Sequence, residues 1–157
     1  MDTFETNTID ELAEEINCKL AEGNSIKQLP GLLLGYHGED WKKYKKFCCK
    51  GYTRNVAFRN DKFEILVLCW NKGQSSPVRD HPEKGCLVRL LKGELIEECY
   101  VKDGDKMIKT CANHITPGNT SYQEGTDGLH RIINPNKEEC AVTMHVYSPP
   151  NYYPKCY

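Results

Sequence analysis

The chain has 157 residues, 39% of them hydrophobic and 27% charged, enough for one domain with a core and too few for two of ordinary size. A formal net charge of -1 excludes the overall basic field that would draw in nucleic acid. The acidic start, Met1 to Glu5, has no signal-peptide character, and no run of about 18 apolar residues offers a helical membrane span.

Near the N-terminus, Thr8 with Glu11 reads as a capping box, after which Ile9, Leu12, Ala13, Ile16 and Leu20 share one helical face before Gly23. Pro30 and Gly31 break the chain, and a second helix is expected over residues 40–47, with Trp41, Tyr44 and Cys48 at spacings of three and four. The lysines between Lys42 and Lys50 then form its solvated face. From Tyr52 onward short β-type runs follow at 63–70, 86–91, 95–101, 107–111, 130–133 and 140–147, separated by turn residues such as Gly93, Asp103-Gly104 and Asn134-Pro135. The expectation is one domain over 1–157, with a helical part at 1–50 packed outside a barrel or sandwich at 51–157.

The nine cysteines are odd in number and form no Cys-x-x-Cys pair, which points to free thiols in a reducing cytoplasm. Cys69, Cys99, Cys111 and Cys140 lie in or beside apolar strand runs and read as small buried hydrophobes. His37 and His114 read as loop or surface residues.

The informative stretch is Gly73-Gln-Ser-Ser-Pro-Val-Arg79-Asp80-His81-Pro-Glu-Lys-Gly-Cys86, followed after six residues by Gly93. Positions 79 and 81 stand at i and i+2, so on a strand both side chains address one face. Downstream, Gly128-Leu129-His130 is followed four residues later by Asn134. Thr143, His145 and Tyr147 alternate with Val142, Met144 and Val146, a polar strand face opposite an apolar one.

These spacings resemble the two motifs of the cupin barrels. Together with Tyr52-Thr53-Arg54-Asn55 and Tyr147-Ser148-Pro149-Pro150, and with Cys86 where other cupins carry Glu, they resemble cysteine dioxygenase over roughly residues 40–150. The resemblance implies a mainly β, jelly-roll barrel with N-terminal helices outside. It also implies iron(II)-dependent oxidation of L-cysteine by O2 to cysteine sulfinic acid, within cysteine catabolism and taurine biosynthesis, by a cytoplasmic monomer. By motif, His81 and His130 would be iron ligands, with Arg79 at the third ligand position. Arg54 would hold the substrate carboxylate, Tyr52 and Tyr147 would line the substrate, and His145 would support the catalytic group. Cys86 and Tyr147 would be joined by a thioether. Taken singly, each also has a plainer reading: His81 on the surface, Arg54 in a structural ion pair, Tyr147 and Cys86 in the core.

Arg79 departs from the family. A guanidinium stays protonated and offers a metal no lone pair. Asp80, on the opposite strand face, is no ready substitute. One extra residue between Ser76 and Asp80 suggests a bulge, which would allow a two-His site if Arg79 swings out to solvent. Family members continue past Tyr-Ser-Pro-Pro with further strands, so the chain is a fragment or divergent product with an open sheet edge, or residues 151–157 close the barrel differently. Two functions therefore compete: a cysteine dioxygenase, and a catalytically inactive cupin binding a small carboxylate or thiol ligand.

Overall fold

The computed structural model describes residues 5–80, 85–123, 129–152 and 156, with residues 121–123 described by backbone alone. His81 lies outside the described residues, so the metal role expected of it has no geometry here.

Helix α1 (Ile9–Ala21) begins where Thr8 takes extended backbone and its hydroxyl accepts the Glu11 N–H at 3.1 Å. The expected capping box is only half made, because the Glu11 carboxylate accepts the Thr8 hydroxyl at 3.2 Å instead of reaching back to a backbone donor. Another orphan donor at the helix start, Ile9 N–H, is taken by Asp40 at 2.8 Å. Pro30, read as a breaker, opens the short helix α2 (Pro30–Leu34) at its first position, where its missing N–H costs nothing. The second helix expected at 40–47 is a single 3-10 stretch, Asp40–Tyr44, since Lys45 turns to extended backbone to lead into the sheet.

Eight strands follow: β1 (Thr53–Arg59), β2 (Glu64–Trp70), β3 (Cys86–Lys92), β4 (Leu95–Asp103), β5 (Lys106–Ile115), β6 (Thr120–Gln123), β7 (Leu129–Ile133) and β8 (Ala141–Tyr147). They form a five-stranded sheet in the order β1-β2-β8-β3-β6 and a three-stranded sheet in the order β5-β4-β7, with all pairings antiparallel. Strands β1 and β6 were not anticipated as runs. The first is a half-buried edge strand in which polar Thr53, Arg54 and Asn55 are followed by apolar Val56, Ala57 and Phe58 without alternation.

Both faces of β2 and β8 are buried. Ile65, Val67, Cys69, Val142, Met144 and Val146 face outward against Ile9, Leu12, Ile16 and Leu33 of the helices. Leu66, Leu68, Trp70, Ala141 and Tyr147 face inward with Val88, Leu90, Leu95 and Ile132 of other strands. Arg89 ties the layers together: from β3 its Nη1 donates to the carbonyls of Leu33 and Tyr36, the latter at 2.6 Å. Among the cysteines read as buried hydrophobes, Cys69 is buried, whereas Cys99 and Cys140 are half-buried and Cys111 is exposed on the edge strand β5. His37 and His114 are exposed, as expected.

Gly93 turns β3 into β4 at φ +86°, and a Cβ there would stand 2.8 Å from the Cys140 carbonyl oxygen. Only glycine meets both demands without strain. Gly93→Ala is expected to cost about 2 kcal/mol or more in urea unfolding; a loss under a few tenths would remove the turn from the features that hold the barrel.

Candidate functional site

Residues 74–79 run as a strap beside β7. Bridges join Ser75 to Ile133 and Arg79 to His130, so four steps along the strap answer three along β7. The extra residue is thus absorbed in a bulge between Ser76 and Arg79. At its end Arg79 and His130 exchange both backbone hydrogen bonds, at 2.9 and 3.0 Å. Such directly opposed residues present their side chains to one face, and both are buried. The swing of Arg79 to solvent, which a two-His site would need, does not occur: Arg79 is 1% exposed.

Its guanidinium is held by aromatics. Nη1 donates to the Tyr52 hydroxyl at 2.9 Å, and the guanidinium carbon lies 5.5 Å from the Tyr52 ring centre and 6.0 Å from that of Trp70. Tyr52 and Trp70 stack at 4.4 Å, forming one wall of the cluster. Beside it, His130 Nδ1 meets the Glu97 carboxylate at 3.3 Å. Burial lowers the His130 pKa, with the nearby Arg79 charge acting the same way, while Glu97 opposes both. The imidazole is therefore held neutral.

A second group comes from β8 and β3. Trp70 Nε1 donates to Thr143 Oγ1 at 3.0 Å, Thr143 Oγ1 lies 2.9 Å from His145 Nε2, and His145 Nδ1 lies 3.2 Å from the Tyr147 hydroxyl. Trp70 can only donate, which leaves the Thr143 hydroxyl hydrogen for Nε2 and favours the ring proton on Nδ1. Cys86 is the register partner of Tyr147, and its sulfur lies 3.8 Å from His145 Nδ1. Below this group an apolar cavity is lined by Val88, Leu90, Leu95 and Ile132.

Arg54 reaches the same region from β1. Its guanidinium sits 5.5 Å from the Tyr147 ring centre and donates to the Tyr152 carbonyl at 3.1 Å. It lines a cleft with Arg59, Asn151 and Tyr152. After β8, Asn151 takes φ +61°, the Tyr152 hydroxyl donates to Asp80, and the Cys156 backbone bridges to Arg79. Asp80 is buried, and its carboxylate accepts from the Tyr152 hydroxyl. Asn134 has a structural role: fully buried, its amide donates to the carbonyls of Trp70, Asn71 and Glu139.

Sequence reasoning passed over Trp70, Glu97 and Tyr152. Glu97 had a signal, a carboxylate at an inward position of β4 beside apolar Leu95. Tyr152 had none.

The iron(II) site that the resemblance implies needs three neutral imidazoles, and the described residues do not fit it. Position 79 holds a buried cation with no lone pair, in contact range of His130. Among the described residues, no three His, Cys, Asp or Glu side chains converge on a common metal position.

Burial pushes the Cys86 thiol up to about 12, against a smaller opposing pull from Arg79 and Tyr147. An acid whose folded pKa is raised stabilises fully below its unfolded value, near 9, and that stability is lost as pH rises toward the folded value. Chemical denaturation between pH 8 and 11 is expected to show wild-type stability falling more steeply than that of Cys86→Ala, whichever is more stable at neutral pH. Parallel slopes would mean that the thiol ionises freely.

The family model for cysteine dioxygenase type I matches residues 3–157. Cysteine dioxygenase type 1 of Rattus norvegicus is 33% identical over 132 residues, covering 80% of this chain and 66% of the relative, and that of Bos taurus is 32% identical over 143 residues, covering 87% and 68%. The chain thus spans about two thirds of the length of these relatives. Among solved structures, a double-stranded β-helix protein from Klebsiella pneumoniae superposes with a TM-score of 0.59 at 17% identity, over 73% of this chain and 86% of that one. An RmlC-like cupin from Shewanella frigidimarina gives 0.54 at 16%, over 73% and 92%. The fold is a cupin, and the chain belongs to the cysteine dioxygenase type I family.

Proposed function

We propose that this barrel retains the recognition of a small amino-acid ligand but does not complete an iron(II) centre, making it a catalytically inactive member of its family. The observation that carries the reading is the buried guanidinium of Arg79, fixed by Tyr52 opposite His130. A positive charge enclosed there repels a divalent cation and attracts an anion. Arg54, on the other side of Tyr147, presents the planar pair of donors that suits a carboxylate. The ligand then lies between Arg54 and His130, against Tyr52 and Tyr147, with Cys86 and His145 behind it. A single cytoplasmic domain and a monomer complete the proposal, and nine free thiols support the reducing setting.

A second reading is favoured by the group Trp70, Thr143, His145, Tyr147 and Cys86, which is assembled although inactive binding does not require it. On that reading the protein is a cysteine dioxygenase that takes L-cysteine and O2 to cysteine sulfinic acid, with iron(II) held by His81 and His130. The chain's own residues would orient the substrate through Arg54 and manage a proton between His145 Nδ1 and the Tyr147 hydroxyl. Cys86 and Tyr147, directly opposed on β3 and β8, would be poised for a thioether that loses two hydrogens to an oxidant.

Elemental analysis of protein loaded anaerobically with iron(II), run with a cysteine sulfinate assay, separates the two. The first reading expects iron far below one per chain and no product, with Arg79→His raising occupancy. Near-stoichiometric iron with sulfinate formation in the unaltered protein would sink it and establish the second. An intact mass short of two hydrogens would likewise count for the second.

A further inference from the structure

The buried charge on Arg79 has an unfinished coordination. Its Nη1 is satisfied by Tyr52, but Nη2 is buried and has no hydrogen-bond partner among the described residues. None of the ion pairs among the described residues includes Arg79. Glu97, the nearby acid, is directed at His130 instead, and Asp80, the next residue along, accepts from Tyr152. The Tyr52 and Trp70 rings offset part of the charge through their faces but offer no in-plane lone pair to an N–H. Buried charges are normally paired, and an unpaired donor in such a place is suited to an anionic acceptor.

Arg79 is one of two guanidinium groups near Tyr147. Arg54 lies over Tyr147 from one side, and both guanidinium charges act on Cys86 and Tyr147. A ligand whose one carboxylate lies on Arg54 leaves Arg79 Nη2 without an acceptor. We infer that Arg79 receives the second anionic group of a short dianion, an α-amino acid with an acidic side chain, whose α-carboxylate Arg54 holds. The side-chain group is an oxyanion rather than a thiol. A carboxylate or sulfinate brings two oxygen acceptors to a guanidinium, whereas a thiol is a poor acceptor and largely protonated at neutral pH. The inference rests on the ligand-binding reading above and narrows it from cysteine-like monoanions to aspartate-like dianions.

Isothermal titration of the full chain at neutral pH with L-cysteine sulfinate, L-aspartate, L-cysteine and L-alanine tests this without any variant. The two dianions are expected to bind about tenfold tighter, or more, than L-cysteine and L-alanine. Arg79→Gln, checked for fold by circular dichroism, is expected to bring the dianions down toward the monoanions, and Arg79→Lys to retain part of the gap. Equal affinities across the series, or a gap that survives in a folded Arg79→Gln protein, would overturn the inference while leaving amino-acid binding in place. Failure of all four to bind would overturn both it and the reading it rests on.

Discussion

Strands β2 and β8 lie side by side at the centre of the larger sheet, and neither face of either strand reaches water. Seven residues in each must therefore match two different environments, an apolar layer under the helices and the interior of the barrel. A slip of one residue would exchange the two faces, forcing Thr143, His145 and Tyr147 among Ile9, Leu12 and Leu33. The register of this pair is thus fixed by burial on both sides, and the polar group inherits its alignment from it. Trp70 reaches Thr143 because β2 and β8 are locked, and Cys86 meets Tyr147 because β3 is locked to β8 in turn.

The strap that carries Arg79 is positioned by weaker means. It has a bulge, a few bridges to β7 and a side-chain contact from Ser76, whose hydroxyl accepts the Ile132 N–H at 3.0 Å. Such a segment can exchange residues without disturbing the central register, and it carries Arg79, where the resemblance implies a different residue. The change is nonetheless accommodated: the guanidinium fits between Tyr52 and Trp70, and its charge is spread over two rings. A metal ligand replaced by an accidental cation would be expected to turn outward along its hydrocarbon stem. The inward, aromatic-lined placement suits the anion-binding role proposed for it.

Much of this was legible in the sequence because it rests on short-range pattern. The alternation in residues 142–147 gave the two faces of β8, while the meeting of Arg79 with His130 and the bulge after Ser76 were implied by the family resemblance. What escaped depends on long-range geometry. Pro30 looks like a terminator until it is seen to begin a helix, and β1 carries no apolar rhythm because it lies at a sheet edge. Tyr152 enters the site only because Asn151 adopts a left-handed turn, and Glu97 only because β4 lies beside β7. The destination of Arg79 could not be read locally either, since an arginine two residues before a histidine is equally compatible with solvent.

The stacking of Trp70 gives the interior an optical handle. The chain has two tryptophans, and this one is shut off from water, parallel to Tyr52 and near the Arg79 charge. Indole excitation moves electron density across the ring, so the energy of its emission depends on the sign and position of charges held beside it. An anion settling on the guanidinium would cancel much of that local field without moving the backbone. The protein therefore carries, within its own core, a chromophore whose colour reports the electrostatic state of the cluster around Arg79.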